Sequence, residues 1–456
     1  MTKQIVLGAF EEFTPNFISN AWHHPRGDTS GFASLEYWQE MARKLDAAGF
    51  DFLFLAEALG YPMTHDGDVP EVVIREAVQV PVHDPMALVS GLAATVERLG
   101  FVVTASTTAQ HPYLNARTFT TLDHLTKGRI AWNVVTSDNQ VALTKLLGQT
   151  LTPHDERYKR ATEFVELSLE LWEGGWDDDA VVYDKATRTF ANPAKVHRIT
   201  HDGDYFQLDG YFPAVPSVQR TPLLLQAGSS PAGKAFAGRF AECVFIQDRD
   251  LDAAAANVAS LRALAASNGR DPHDIKVIDA VSIIVGATED EAARLRAELD
   301  ATPSREAAAA LFMGWSGVDL MSFPLEATLA EVTTEVGQTM LSMFQQGDES
   351  PTVAEILDRI TTAIGGMRVT GTAASVADQL QEIVDHTDID GFLIEYTYGG
   401  IESYRDFIDE VMPLLKERGM LPPTPRGGTM RQRILGRTES HLPASHPGAA
   451  FRPSRP

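Results

Sequence analysis

The hydrophobic positions of this chain form two alternating patterns, short apolar runs and longer segments with apolar residues at helical spacing. Residues 50–55 are almost continuously apolar, which is typical of a parallel strand that is covered on both faces. Between residues 35 and 48 the apolar positions recur at helical spacing, which predicts an amphipathic helix. Because strands and helices follow one another in this way, we expect parallel strands joined by right-handed crossovers.

Eight apolar runs are predicted to be strands, and each is followed by a helix or by a helix and an insertion. The strands are predicted at residues 5–10, 50–55, 101–106, 129–135, 223–225, 243–246, 276–285 and 391–396. The helices are predicted at residues 35–48, 86–97, 114–125, 152–172, 251–266, 289–299, 375–384 and 404–418, and from residue 232 onward. This count predicts a (β/α)8 TIM barrel, with a doubly wound open sheet as the alternative.

Two segments and the C-terminal end depart from the alternation. Residues 176–220 are predicted to be an insertion with one or two hairpins, and residues 301–367 are predicted to be a second, irregular insertion. Proline, glycine and arginine accumulate from residue 421, which predicts a surface arm that becomes disordered. We therefore expect a single barrel domain over residues 1–436 and a disordered tail over residues 437–456.

The composition narrows the classes of function. The formal net charge of -24 argues against nucleic acids and anionic membranes as partners. The single cysteine, Cys243, cannot form an internal disulfide and lies in an apolar run, so a buried thiol is expected. There is neither an apolar run of membrane-spanning length nor an N-terminal leader pattern, and we expect a cytoplasmic protein.

The segment around Gly228 has the layout of an anion-binding site. The apolar strand at residues 223–225 leads into a turn of small residues, and a helix follows with Pro231 at its first position. Backbone N–H groups at such a helix start point toward an anion, and either Ser229 or Ser230 can cap the helix. The same residues also suit an ordinary capped turn. A phosphate site and a plain turn are therefore both open on these residues alone.

The predicted helix at residues 152–172 presents a histidine and a phenol on one face. His154 and Tyr158 are four positions apart, and the same face continues to Ala161 and Val165, which we expect to pack inward. Both polar side chains would reach a phosphate or a ribityl chain if the helix lies beside a barrel mouth. A basic patch that favours the approach of an anion is formed by Arg157, Lys159 and Arg160. On these residues alone, a solvated amphipathic helix is the favoured interpretation.

In a barrel, the reactive groups lie at the C-terminal ends of the strands. Apart from Glu57 these ends carry polar, uncharged residues, and no nucleophile stands beside a base. The nearest metal-like spacing, His197 and His201 with Asp202, falls in an insertion and is more typical of a surface loop, so we expect no metal. No Gly-x-Gly-x-x-Gly turn follows a strand, which weighs against a dinucleotide site. This pattern favours a bound organic cofactor that carries the chemistry.

Several ordered motifs resemble one protein family. They are His111-Pro112-Tyr113, Thr121-Leu122-Asp123-His124-Leu125, Trp132-Asn133-Val134-Val135-Thr136-Ser137, His154-Asp155-x-Arg157-Tyr158, Asn192-Pro193-Ala194-Lys195-Val196-His197 and Gln226-Ala227-Gly228-Ser229-Ser230. Together they resemble the FMN-dependent two-component monooxygenases of the bacterial-luciferase-like superfamily. The branch that they resemble holds the nitrilotriacetate, dibenzothiophene sulfone and dimethyl sulfide monooxygenases.

The resemblance implies a cofactor and its contacts. It implies a barrel that binds reduced FMN, supplied by a separate flavin reductase. The positions that match the family's FMN contacts are Glu57, Thr104, Asn133, His154, Tyr158, Ser229 and Ser230. Glu57 stands where the family usually carries an aspartate, and its longer side chain changes the reach of the carboxylate.

The resemblance also implies a reaction. Reduced FMN and O₂ would form a flavin C4a-hydroperoxide, which oxygenates a small organic substrate that contains sulfur, nitrogen or an alkyl group. Three phenylalanines, Phe10, Phe17 and Phe245, are expected to keep water away near the barrel mouth. His24 is a candidate acid or base, although an anchor of its loop is the expected role. The resemblance also implies that the protein forms a homodimer or a homotetramer.

Two other functions stay open. A deazaflavin- or FMN-dependent oxidoreductase of the same superfamily would transfer a hydride and would not need O₂. A non-catalytic flavin-binding protein would hold the flavin without turnover. The substrate is not defined by the sequence, because the two insertions shape the pocket.

Overall fold

The computed structural model describes residues 2–15, 21–64, 66–137, 140–150, 152–328, 350–361 and 366–453. In these residues the strands are β1 (Val6–Glu12), β2 (Phe52–Ala56), β3 (Gly100–Ser106), β4 (Ile130–Val135), β5 (Val181–Asp184), β6 (Thr189–Ala191), β7 (Arg198–Asp202), β8 (Gln207–Tyr211), β9 (Leu223–Gln226), β10 (Cys243–Ile246), β11 (Lys276–Val285), β12 (Met367–Gly371) and β13 (Gly391–Glu395).

Eight of these strands close into a parallel barrel. The pairing runs β1, β2, β3, β4, β9, β10, β11 and β13, and β13 pairs back onto β1. The strands of the barrel are buried almost throughout, because helices cover the outside and side chains fill the inside. The predicted (β/α)8 TIM barrel is confirmed, and the open sheet is excluded by the closing β13–β1 pair.

The helices lie between the strands and after the last strand. They are Leu35–Ala48, Glu71–Arg75, Met86–Ala93, Pro112–Thr126, Gln140–Leu147, His154–Leu169, Pro231–Phe240, Leu251–Ser267, Glu289–Asp300, Arg305–Ser316, Val353–Thr361, Ala373–Thr387, Glu402–Asp406, Met412–Glu417 and Met430–Leu435. Within the described parts of the chain, no helix is both long enough and apolar enough to cross a membrane.

The first barrel helix shows how the local sequence sets its bounds. Ser34 caps the helix by accepting the backbone N–H of Tyr37 at 3.3 Å. Trp38 and Leu45 lie on the face that packs into the core and are buried. Gly49 ends the helix with a φ of 101°, a conformation that favours glycine.

Several helix boundaries differ from the prediction by a few residues, and two of them are instructive. The helix predicted at residues 86–97 ends at Ala93. The helix predicted from Thr152 begins at His154, with Pro153 at the cap position and no side-chain cap. Thr152 stands one residue before the cap position, and its hydroxyl donates to the carbonyl oxygen of Thr150 at 3.1 Å.

A ninth parallel strand was missed by the sequence analysis. β12 pairs with the second half of β11, from Val281 opposite Met367 to Val285 opposite Gly371. Residues 367–371 alternate between buried and half-buried positions, so the strand has one covered face only. The predicted second insertion ends where this strand begins, and a five-residue alternation is too weak a signal to predict a strand.

The two predicted insertion segments contain regular structure. Residues 176–220 hold two antiparallel hairpins, β5 with β6 and β7 with β8. In the described part of residues 301–367, the helices Arg305–Ser316 and Val353–Thr361 pack against each other around a small core of their own. This second core is separate from the core of the barrel.

The predicted disordered tail is wrong for residues 437–453. His446 is buried, and its Nε2 donates to the carbonyl oxygen of Phe240 at 2.9 Å. Arg452 forms an ion pair with the buried Glu173 at 2.6 Å. Proline and glycine content indicated a lack of helix and strand, but the arm obtains its order from long-range polar contacts that the composition does not reveal.

Candidate functional site

A cavity of about 600 Å³ opens at the C-terminal ends of the barrel strands. This is the end at which TIM barrels carry their reactive groups. Six of the seven residues predicted to contact the cofactor line this cavity: Glu57, Thr104, Asn133, His154, Tyr158 and Ser229. The seventh, Ser230, lies beside the cavity at the start of the helix Pro231–Phe240.

Ser230, and not Ser229, caps this helix. Its Oγ accepts the backbone N–H of Gly233 at 3.1 Å, and Pro231 occupies the first helical position, as predicted. The first turn contains no acidic residue. Lys234 lines the cavity next to the helix start. The positive end of the helix dipole and a lysine therefore face the same space, which suits a phosphate group.

The hydroxyl of Tyr158 fits between two glycines of this turn. A Cβ atom on Gly228 would lie 2.5 Å from the hydroxyl oxygen, and one on Gly233 would lie 2.8 Å from it. The hydroxyl is hydrogen-bonded to the side chains of Ser230 and Thr136, and burial raises the pKa of the phenol. Only glycine at both positions leaves room for this approach, so the turn is built around the phenol.

The predicted helix face is confirmed. His154 and Tyr158 both line the cavity, with ring centroids 5.1 Å apart. Ala161 and Val165 continue the face inward and are fully buried. Of the basic patch, Arg157 also lines the cavity.

Two buried acceptors lie in the wall of the cavity. The Nδ2 of Asn133 donates to the Oγ1 of Thr104 at 2.9 Å, and this leaves the Oδ1 of Asn133 without a hydrogen-bond partner among the described residues. The Oε1 of Gln226 is also buried and has no hydrogen-bond partner among the described residues. Buried acceptors of this kind need a donor. FMN carries ring N–H donors together with a phosphate, so the residues of this cavity fit the cofactor that the motifs imply.

Three phenylalanine rings form an apolar wall. Phe10 lies 5.3 Å from Phe54 and 6.3 Å from Phe245 between ring centroids, and Phe54 and Phe245 are 6.1 Å apart. All three line the cavity. The structure thus brings two of the three predicted pocket residues together, and Phe17 lies outside the described residues.

His24 is not brought to the cavity. Its ring is buried, lies 4.7 Å from the ring of Tyr398, and accepts the backbone N–H of Arg26 at its Nδ1 at 3.2 Å. Burial, followed by the nearby charge of Arg26, lowers the pKa of His24. These contacts fit an anchor of the loop and leave the imidazole neutral.

Histidines elsewhere have structural partners. The Nδ1 of His111 accepts the backbone N–H of Tyr113, and the Nε2 of His124 donates to the carbonyl oxygen of Val215. In the metal-like pair, His197 contacts Asp177 and His201 contacts Glu163. No group of three or more metal-binding side chains occurs in the described part of the chain.

Glu57 is a half-buried carboxyl in the cavity wall. Burial, and to a lesser degree the charge of Asp84, raises the pKa of this carboxyl to about 7. Near neutral pH the side chain therefore holds a proton in a large fraction of molecules. A glutamic acid of this kind can donate as well as accept a hydrogen bond inside the cavity.

The raised pKa predicts a pH dependence of stability that Glu57→Gln removes. Below about pH 4.5 the carboxyl is protonated in both states; as the pH rises toward 7, only the unfolded state ionises, which destabilises the fold. We subtract the unfolding free energy of wild type from that of the variant at each pH. We expect this difference to be about 1–3 kcal/mol larger at about pH 8 than at about pH 4. Urea unfolding at both pH values measures this difference. Glu36→Gln at an exposed position serves as the control, and an equal pH response of both variants would contradict the prediction.

Several residues of the cavity were missed by sequence reasoning. Gln226 had a usable signal, since it is a polar residue that ends the apolar run of β9. Phe54 had no such signal, because a phenylalanine that faces the cavity and one that packs in the core look alike in an apolar run. Arg249 and Arg359 also line the cavity, and the second lies in a segment predicted to be an irregular insertion.

The geometry agrees with comparisons against known proteins. A family model described as luciferase-like monooxygenase matches residues 13–391. The dimethyl-sulfide monooxygenase of Hyphomicrobium sulfonivorans is 37% identical over 99% of this chain and 94% of its own. The long-chain alkane monooxygenase of Geobacillus thermodenitrificans is also 37% identical, over 99% of both chains.

A solved structure is also similar to this chain. The crystal structure of a riboflavin lyase with modified FMN and the substrate riboflavin has a TM-score of 0.94 and 37% sequence identity to this chain. The match covers 99% of this chain and 100% of that one. The family predicted from the motifs is confirmed, and this chain is an enzyme that belongs to the luciferase-like monooxygenases.

Proposed function

We propose that this protein is an FMN-dependent monooxygenase that uses reduced FMN and O₂ to oxygenate a small organic substrate. The observation that supports it most directly is the turn at Gly228, where the phenol of Tyr158 and a capped helix start surround one end of the cavity. The two buried acceptors, on Asn133 and Gln226, lie in the wall of the same cavity. An anion site and ring-facing acceptors in one cavity suit a flavin mononucleotide.

The residues have separate tasks in this proposal. Ser229, Ser230 and the backbone at the start of the helix Pro231–Phe240 hold the phosphate, with the hydroxyl of Tyr158 beside them. Asn133, oriented by Thr104, and Gln226 accept hydrogen bonds from the flavin ring. His154 stands on the same helix face as Tyr158 and contributes to the phosphate or ribityl end.

The rest of the cavity controls water and protons. The wall of Phe10, Phe54 and Phe245 excludes water, which would otherwise compete with the substrate. Glu57 holds a proton at its carboxyl near neutral pH. When bound, reduced flavin supplies the two electrons with which O₂ gives one oxygen atom to the substrate and the other to water.

A separate flavin reductase is the partner that this proposal requires. In this proposal the electrons of NADH or NADPH reach the flavin on another protein, which agrees with the lack of a dinucleotide-binding turn after a strand in the sequence. The cofactor then behaves as a co-substrate that arrives reduced and leaves oxidised.

A coupled assay tests the function. The purified protein, FMN, a flavin reductase and NADH are incubated with sulfides, sulfones, alkanes and amines, and products are identified by mass spectrometry under ¹⁸O₂. Incorporation of ¹⁸O that needs both the reductase and O₂ supports the proposal. Turnover without O₂ and only with a deazaflavin would support the alternative, a hydride-transferring oxidoreductase of the same superfamily. Tight binding of reduced FMN without any product would favour a flavin-binding protein.

Tyr158→Phe tests the phosphate end of the site. We expect the affinity for reduced FMN to fall by about 1–3 kcal/mol, because the variant lacks the hydroxyl that lies between the two glycines. The matched control is Tyr205→Phe, whose hydroxyl bonds to Glu156 outside the cavity. Anaerobic fluorescence titration with reduced FMN measures both variants. Equal affinity of Tyr158→Phe and wild type would remove this residue from the site.

A further inference from the structure

The helices His154–Leu169 and Pro231–Phe240 each present their first turns to the same end of the cavity. The first helix carries Tyr158 near its start, and the start of the second helix belongs to the turn that surrounds the phenol. Further along, an ion pair between Glu166 and Arg239 joins the two helices. The position of the phenol relative to the turn therefore depends on how this pair of helices is held.

The last turn of the helix Pro231–Phe240 leaves carbonyl oxygens that need donors from outside the helix. The Nε2 of His446 donates to the carbonyl oxygen of Phe240 at 2.9 Å. Arg270 donates to two further carbonyl oxygens at this end, at 3.1 and 2.7 Å. Both donor side chains are buried, so water does not readily replace them.

The imidazole of His446 is neutral and fixed in orientation. Burial lowers the pKa of His446 to about 4, against the opposing effect of Glu242. Its Nδ1 accepts the backbone N–H of Gly448 at 3.1 Å, so the proton of the neutral ring lies on Nε2, which faces Phe240. His446 is therefore a permanent donor at the helix end.

The C-terminal arm also holds the segment that carries Arg270. Arg437 forms an ion pair with Asp274, and the hydroxyl of Ser445 donates to the same carboxylate at 3.3 Å. Asp274 follows Arg270 in the segment that leads into β11. The arm thus reaches the end of the helix directly through His446 and indirectly through this segment.

The same arm packs against the last residue of the helix His154–Leu169. Gly448 is buried, and a Cβ atom on it would lie 2.7 Å from the Cδ2 of Leu169. The absence of a side chain at this position lets the arm approach the helix closely. The arm therefore contacts both helices at the ends opposite to those that face the cavity.

We propose that the C-terminal arm over residues 437–453 is a brace that positions the phosphate end of the cofactor site, with His446 as its positioning residue. The brace holds the helix Pro231–Phe240 against the helix His154–Leu169, so that the N–H groups of the turn and the hydroxyl of Tyr158 converge on the phosphate. This inference rests on the proposed function, since it concerns the phosphate of FMN.

The effect reaches the cavity because a short helix passes a shift at one end to the other. The ten residues of the helix Pro231–Phe240 span about 15 Å. Without the donor of His446, the carbonyl oxygen of Phe240 is left buried and unsatisfied, and the helix end must move to find another donor. The hydrogen bonds at the helix start depend steeply on distance, so the phosphate is held less well after this movement.

The test compares FMN with riboflavin, which has the same ring system and no phosphate. Affinities for both reduced flavins are measured by anaerobic fluorescence titration of the full chain. His446→Leu has a similar volume and no donor, and we expect it to bind reduced FMN about fivefold more weakly than wild type. Its affinity for reduced riboflavin should equal that of wild type, whereas a general loss of stability would not separate the two flavins.

Two further variants locate the effect. His446→Gln should recover most of the affinity for FMN, because its side-chain amide can donate to the same carbonyl oxygen. The control is His124→Leu, which also removes a histidine that donates to a backbone carbonyl oxygen, that of Val215, but lies outside the cavity. It should bind both flavins like wild type.

Hydrogen exchange of the FMN-free protein gives a readout that needs no cofactor. Mass spectrometry of peptides over residues 231–240 reports how firmly this helix is held. In His446→Leu we expect these amides to exchange about fivefold faster than in wild type. The amides of the helix Leu35–Ala48 should keep their rates, since a global loss of stability would raise both.

The outcomes separate the brace from the proposed function. The brace is overturned if His446→Leu binds FMN like wild type, loses riboflavin affinity equally, or exchanges like wild type over residues 231–240. If wild type binds no reduced FMN, the monooxygenase is overturned, and the exchange rates still decide whether the arm holds the helix. If His446→Leu does not fold, Gly448→Ala replaces it. Its new Cβ pushes on Leu169, and we expect about twofold weaker FMN binding with unchanged riboflavin binding.

Discussion

Replacing Arg431 with methionine is expected to lower the free energy of unfolding by about 3–5 kcal/mol. This arginine is completely buried and forms a two-pronged ion pair with Glu242, with Nε to Oε1 at 2.6 Å and Nη2 to Oε2 at 2.8 Å. It also donates to the carbonyl oxygens of Thr221 and Ser440, at 3.0 and 2.7 Å. The side chain thereby ties the C-terminal arm to the strand β9 and to the start of β10.

The cost arises because the partner is left charged inside the protein. Burial alone would raise the pKa of Glu242, but the charge and hydrogen bonds of Arg431 hold that pKa below its ordinary value. Without Arg431 the carboxylate must either stay ionised without its main partner or take up a proton, and both states cost free energy. The carbonyl oxygens lose their donor at the same time.

Urea unfolding at neutral pH measures this effect. Arg294→Met, at an exposed position, is the control and should change the unfolding free energy by less than about 0.5 kcal/mol. The double variant Arg431→Met with Glu242→Gln should lose less than the sum of the two single variants, because the two side chains depend on each other. A loss of under about 1 kcal/mol for Arg431→Met would show that the arm does not stabilise the barrel.

Replacing Gly228 with alanine is expected to weaken the binding of reduced FMN about a hundredfold while the barrel stays folded. The new Cβ would lie 2.2 Å from the Nε2 of Gln226 and 2.5 Å from the hydroxyl of Tyr158. Both atoms are the ends of side chains, so the fold can relax by moving them. That movement displaces an acceptor for the flavin ring and a donor for the phosphate. The hydrogen bond to the charged phosphate contributes about 1.5–3 kcal/mol, and the bond to the neutral ring contributes less.

Gly210→Ala is the matched control for this variant. Gly210 lies in the hairpin of β7 and β8, and a Cβ there would meet no atom within 4 Å. It should bind reduced FMN like wild type in the same anaerobic titration. Circular dichroism and urea unfolding confirm that both variants are folded. Wild-type affinity of Gly228→Ala would mean that the turn does not hold the cofactor.

The barrel could be predicted because its signals are local. A parallel strand that is covered on both faces must be apolar along its length, and each helix must carry one apolar face, so both patterns are visible in short windows. β2 and the helix Leu35–Ala48 are such cases. β12 was missed because its five residues are covered on one face only and follow a segment without a regular pattern.

The candidate site could be predicted only in part. The turn at Gly228 and the pair His154 and Tyr158 have recognisable spacing, and the motif resemblance identified Thr104 and Asn133 at the ends of their strands. Arg359 carries no such signal, since it reaches the cavity from a helix that is distant in sequence and belongs to the second core. His24, which the sequence left as a candidate, proved to contact Tyr398 instead of the cavity.

By itself the sequence determined the order of the eight barrel strands and of the helices between them, the family, and part of the group of residues that meets at the barrel mouth. These follow from side-chain periodicity and from short motifs, which act over a few residues. Only the tertiary structure decided that the arm after Leu421 is anchored through Arg431, that Gly228 and Gly233 make room for the phenol of Tyr158, and that Arg249 and Arg359 share one wall. Such contacts join residues that are far apart in the chain, and their energies depend on distances and burial that no local pattern contains.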